Sequence, residues 1–274
     1  MYAPKFVPVL AALLLSVPPG ASAAPASCPS GMKRLPAGSY RMADGTPAAL
    51  GAFCMDVTEV TVAAYARCVD AGACRADDLE CGNAATWGKP GAASNPVNCV
   101  SWFEADGFCR AHGKRLPSEA EWEWAARGGR RAQSFPWGQD PPANRVCWDG
   151  DGNSKGKGER KTTCPVGSSP RGTSPDGLQD LGGNVREWTA SAAERFRVLR
   201  GGSWGDSLPE FLSAGFRGWN APDERMELTG FRCVAAVGAK LVTPHRQVAK
   251  AKAELRDDGV LVMPFEVNPS HRKN

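Results

Sequence analysis

Apolar positions along this chain fall in short runs broken by glycine, proline and polar clusters, a pattern that predicts small elements joined by long loops. Residues 28 to 57 read as a short β region, with Gly38–Met42 and Phe53–Val57 as its strand candidates. A helix follows: Thr61 can cap it, Val62, Tyr65, Ala66 and Val69 recur at helical spacing, and Ala71-Gly72 stops it. A second helix opens on Ser101, where Glu104 completes a capping box, and runs past Trp102, Ala105 and Phe108 to Gly113. The third opens on Ser118 with Glu121 three residues on and stops at Gly128-Gly129. Its acidic residues Glu119, Glu121 and Glu123 suit the positive end of a helix dipole, a simpler account than acid–base catalysis. Residues 130 to 176 lack apolar runs and read as irregular, pinned by Cys147 and Cys164. Two further strands are predicted at Arg197–Arg200 and Gly230–Ala236.

Between the irregular region and those strands lies Gly177–Trp188, where Asp180 and Glu187 flank the Gly182-Gly183 bend. If the chain runs extended after the bend, residues 183, 185 and 187 share a side. The carbonyls of Gly183 and Val185 and the carboxylates of Asp180 and Glu187 can then converge on a hard cation, with calcium the candidate. The competing reading is a glycine-rich turn whose carboxylates pair with neighbouring arginines. A second acidic stretch, Asp149–Asn153, does not make an EF-hand, because Ser154 and Arg160 stand where that loop needs Gly and Glu.

Composition narrows the setting. Lys5, the apolar run Phe6–Val17 and the small residues Ala21-Ser22-Ala23 read as a signal peptide over residues 1–23, so an exported chain, periplasmic or extracellular, is expected. Stable membrane insertion is not expected, since no other stretch is apolar enough to span a bilayer. The net charge of +4 is scattered, without a basic run interleaved with aromatics, so nucleic-acid binding is not expected either. All ten cysteines follow residue 23 and read as disulfides, with local staples among Cys68, Cys74, Cys81 and Cys99.

Six motifs, in order, resemble those of the formylglycine-generating enzyme family, the sulfatase-modifying factors: Asn95–Trp102, Gly113–Gly128, Phe135–Gly138, Gly183–Trp188, Arg200–Trp204 and Gly230–Cys233. The resemblance spans a domain over residues 28–237 and leaves 238–274 as a charged extension. It implies an α+β C-type-lectin-like variant fold with little regular secondary structure and loops stapled by disulfides and calcium. Such enzymes oxidise a sulfatase cysteine with dioxygen and a copper ion held by two thiolates. By their distance from the Gly-Gly-Ser motif, those thiolates fall on Asp206 and Phe211, and no cysteine lies between Cys164 and Cys233, so copper is not expected. Related oxygenases bind iron through several histidines; this chain has His112, His245 and His271 alone.

The resemblance also places calcium on Asp180, Gly183, Val185 and Glu187, and a second calcium site near Asn144 and the Arg145 carbonyl, and it makes Ser203 a cleft-wall position. It pairs Cys109 with Cys233. Among the other eight cysteines the expected pairs are Cys147 with Cys164 and Cys28 with Cys54; connectivity within 68, 74, 81 and 99 stays open. Three functions follow. One is an exported binding or maturation-accessory domain with a protein or peptide partner. Another is an oxidoreductase of altered mechanism, with Asp206, between Trp204 and Trp219, as acid or base. A third is a lectin-like module, although several of the nine Trp residues sit inside the scaffold motifs and suit a core.

Overall fold

Side-chain caps set the starts of all three helices. The computed structural model describes residues 27–150 and 159–244. Helix α1 (Val62–Asp70) starts where the Thr61 hydroxyl accepts the Ala64 N–H. Reciprocal capping boxes open α2 (Trp102–Ala111), through Ser101 and Glu104, and α3 (Glu119–Ala126), through Ser118 and Glu121.

Besides four short 3-10 turns, the described elements include nine short strands: β1 (Met32–Leu35), β2 (Gly38–Arg41), β3 (Pro47–Leu50), β4 (Phe53–Asp56), β5 (Arg186–Ala193), β6 (Phe196–Arg200), β7 (Arg217–Asn220), β8 (Thr229–Gly230) and β9 (Val234–Ala236). They form a three-stranded sheet in the order β1-β4-β9, a β2-β3 hairpin, and a four-stranded sheet in the order β7-β6-β5-β8. In the last sheet β8 runs parallel to β5, with Glu187 opposite Gly230, and β6 runs antiparallel, with Glu187 opposite Arg200.

The single strand expected at Gly230–Ala236 is two strands. Phe231–Cys233 leaves the ladder: Phe231 and Cys233 carbonyls accept from Val60 and Asp56, and the Cys233 N–H donates to Asp56 Oδ2 at 3.0 Å. That break turns Arg232 inward.

Two apolar clusters meet around that residue. One packs α1 and α2 with Trp188, Leu199 and Phe231; the other packs α3 with Leu35, Met55, Leu178 and Leu181. Five disulfides fasten the loops: Cys28–Cys54, Cys68–Cys74, Cys81–Cys99, Cys109–Cys233 and Cys147–Cys164. The last closes a loop within the irregular region, as its cysteine spacing suggested. The proposed signal segment 1–23, residues 151–158 of the acidic stretch, and the extension beyond Pro244 lie outside the described residues.

Candidate functional site

The Gly177–Trp188 stretch leads from a loop into β5, and its two carboxylates meet different fates. Glu187 is fully buried and accepts both from Arg232, at 2.8 to 2.9 Å, and from the Trp122 indole, at 2.8 Å. Arg232, equally buried, donates further to the carbonyls of Asp56, Val57 and Gln179. One guanidinium thereby joins the end of β4, the loop before β5, and β5 itself. Asp180, with φ at 59°, accepts the Gly167 N–H on Oδ2 at 2.6 Å. Burial raises its carboxyl above the ordinary range, against the pull of that bond.

Of the ligands expected for calcium, Glu187 is already paired inside the fold. The two Glu187 oxygens accept from three N–H groups, Nε and Nη2 of Arg232 and the Trp122 indole, with the Nε hydrogen shared between them. Here the arginine-paired reading of that carboxylate is the observed one. Among the described residues no three His, Cys, Asp or Glu side chains converge as a metal-holding group. At the second expected site the side chains have partners within the protein. Asn144 is exposed and its Oδ1 accepts a long 3.4 Å bond from Arg171, while the Arg145 side chain pairs with Asp140. Downstream, Glu159 is exposed and its N–H donates to Asp149.

Around the position of the family's thiolates, the chain has built an ion pair and an aromatic pair. Asp206 bonds Arg186 through Oδ1, and its Oδ2 accepts the Ser203 N–H at 2.7 Å and the Ser203 hydroxyl at 2.9 Å. Phe211 meets Phe216 edge-on, and the Arg186 guanidinium lies over Phe216. Two expectations are corrected by this geometry. Asp206 is held by Arg186 and Ser203 and not set between the two tryptophans by any contact among the described residues, and Trp219 is 57 % exposed on the edge strand β7. Ser203 does not face a cleft, because it is fully buried and folded onto Asp206.

All ten cysteines lie in disulfides and none is free. The His112 ring donates from Nδ1 to the Phe108 carbonyl at 2.8 Å and packs on Phe108, while His245 and His271 lie outside the described residues. A cavity of about 630 Å³ does exist, between the end of β4, α1 and α2, lined among others by Asp56, Arg67, His112 and Lys114. None of Arg186, Ser203, Asp206 or Phe211 borders it.

Beside Asp180 lies a residue that the sequence reading passed over. Glu59 is 2 % exposed, and neither of its oxygens meets a donor among the described residues. Its only signal in the sequence is a lone acid between Thr58 and Val60, ahead of an apolar helix.

A family model for the sulfatase-modifying factor enzyme 1-like domain matches residues 19–237. The chain belongs to that family. Relatives include the inactive C-alpha-formylglycine-generating enzyme 2 of Bos taurus, 42 % identical over 156 residues, which are 52 % of this chain and 51 % of that protein. The formylglycine-generating enzyme of Mus musculus is 35 % identical over 168 residues, covering 52 % and 45 %. The hercynine oxygenase of Mycobacterium tuberculosis is 36 % identical over 165 residues, covering 51 % and 36 %. The chain thus spans about half or less of these relatives' length. Among solved structures, PvdO from Pseudomonas aeruginosa superposes with a TM-score of 0.58 at 25 % identity, over 75 % of this chain and 94 % of that one. Treponema denticola variable protein 1 gives the same score and coverage at 23 % identity. The fold is the C-type-lectin-like variant of this family, low in regular structure and bound by disulfides.

Proposed function

We propose that this sulfatase-modifying-factor domain works without copper oxidation, as an exported binding or maturation-accessory domain for a protein or peptide partner. One observation carries the reading: the two positions matched to the family's thiolates hold Asp206, engaged by Arg186 and Ser203, and Phe211, packed on Phe216. A thiolate pair cannot form there, since every cysteine is already oxidised. Export is supported by the five disulfides, which persist in oxidising compartments. A relative bearing the name inactive C-alpha-formylglycine-generating enzyme 2 favours the same reading.

The test is direct. Purified protein is incubated with copper, dioxygen and a cysteine peptide of the sulfatase type, and conversion to formylglycine is followed by mass spectrometry. No conversion above the metal-only background is expected; copper-dependent turnover would refute the reading. The lectin-like alternative draws little support from the tryptophans, because Trp122, Trp124, Trp148 and Trp188 are buried in the core and not on a sugar-facing surface.

A further inference from the structure

The cavity of about 630 Å³ between the end of β4, α1 and α2 has the size of pockets that hold small molecules, about 300–1,000 Å³. Much of its wall is apolar: Val60, Ala64 and Phe108 line it, and so does Val242, whose N–H donates to the His112 carbonyl at 3.3 Å. Charged groups gather around His112. Burial first, and the charges of Lys114 and Arg67 after it, hold the imidazole below its ordinary range, against its bond to the Phe108 carbonyl and the charge of Asp56. The ring is therefore uncharged near neutral pH, and Arg67, Lys114 and Asp56 around it sum to one positive charge. Lys114 is answered by Asp56 at 2.6 Å, and Asp56 takes the Cys233 N–H as well. Arg67 is not answered: it is exposed, it borders the cavity, and its guanidinium has no ion pair among the described residues. Neither of the other two acids on the wall pairs with it. Glu59 is buried within hydrogen-bonding reach of Asp180, and Asp70 is exposed at the last residue of α1.

We propose that this cavity binds a small apolar carboxylic acid, with the carboxylate on Arg67 and the hydrocarbon part against Val60, Ala64 and Phe108. The site stands apart from the copper argument, since none of Arg186, Ser203, Asp206 or Phe211 borders it. A carboxylate suits the guanidinium because two parallel N–H donors match its two oxygens, and its single charge balances the one positive charge left over. A phosphate monoester carries about −1.5 to −2 and would exceed that charge. Burial of hydrocarbon against the apolar wall supplies the rest of the affinity.

The test titrates the full chain with sodium octanoate near neutral pH in a calorimeter, with octanamide as the uncharged control of the same length. Saturable uptake of one equivalent of octanoate is expected, and octanamide should bind on the order of tenfold more weakly. Arg67→Ala should weaken octanoate binding on the order of tenfold and leave octanamide binding unchanged, a difference that a general loss of packing would not produce. Because Arg67 is exposed, this variant should melt with the wild type. Ala64→Phe, which fills the cavity, should abolish binding of both probes. If it does not fold, Ala64→Leu is read in its place for weakened binding of both. Octanoate that fails to bind, or binds without saturating, would overturn the proposal. Equal binding of acid and amide, or full affinity for octanoate in Arg67→Ala, would overturn it as well.

Discussion

Arg232 is the side chain on which the interior depends most. It is fully buried, and its bonds hold Glu187, the end of β4 and the loop before β5 together. Removing it leaves Glu187 buried without its counter-charge, and Glu59 and Asp180 lose the nearest cation. Arg232→Met is expected to destabilise by about 3–5 kcal/mol in urea unfolding, the range for breaking a buried pair from one side. Arg217→Ala gives the contrast. That guanidinium pairs with Glu119 at 2.6 Å but is 35 % exposed, and its loss should cost about 0–1 kcal/mol in the same measurement. The spacing of Asp180 and Glu187 reports that they can share a side, and not which cation answers them. The partner, Arg232, is 45 residues further on, and nothing local announces that the strand breaks there to turn it inward.

Helix starts were the most legible elements, since a cap is a contact between residues three apart. Ser101 with Glu104 and Ser118 with Glu121 form the boxes their order suggests. In α3 the acidic residues do more than answer the dipole: Glu119 and Glu123 bind Arg200 of β6 at 3.2 and 2.7 Å, a long-range contact that no helical pattern contains. Ser118→Ala is expected to cost about 1 kcal/mol by loss of the cap. It should also loosen the grip of Glu121 on Arg115, so the midpoint of chemical denaturation is the quantity to follow. Strands were harder to read. β1, β3 and β7 are four residues each, too short for alternation to stand out, and β3 begins on Pro47. They are strands because partners lie beside them: β1 and β3 pair with β4 and β2, and β7 with β6.

At the scale of the molecule, covalent links carry much of the order that regular structure does not. Cys109–Cys233 closes a span of 124 residues, Cys68–Cys74 a span of 6. On loop-closure grounds, replacing the first pair with alanine should lower stability by about 5 kcal/mol and the second by about 2, compared by unfolding without reductant. The resemblance to the family gave the long bridge, and proximity in the chain suggested the link across the irregular region. The pairing inside 68, 74, 81 and 99 was not legible, because four cysteines allow three connectivities and only the packed loops choose among them. Nesting of the two links has a practical result for anyone handling the protein. A peptide bond cut anywhere between Cys147 and Cys164 falls inside both closed rings. The clipped chain therefore travels as one species on a gel until thiol is added, and only then separates into fragments.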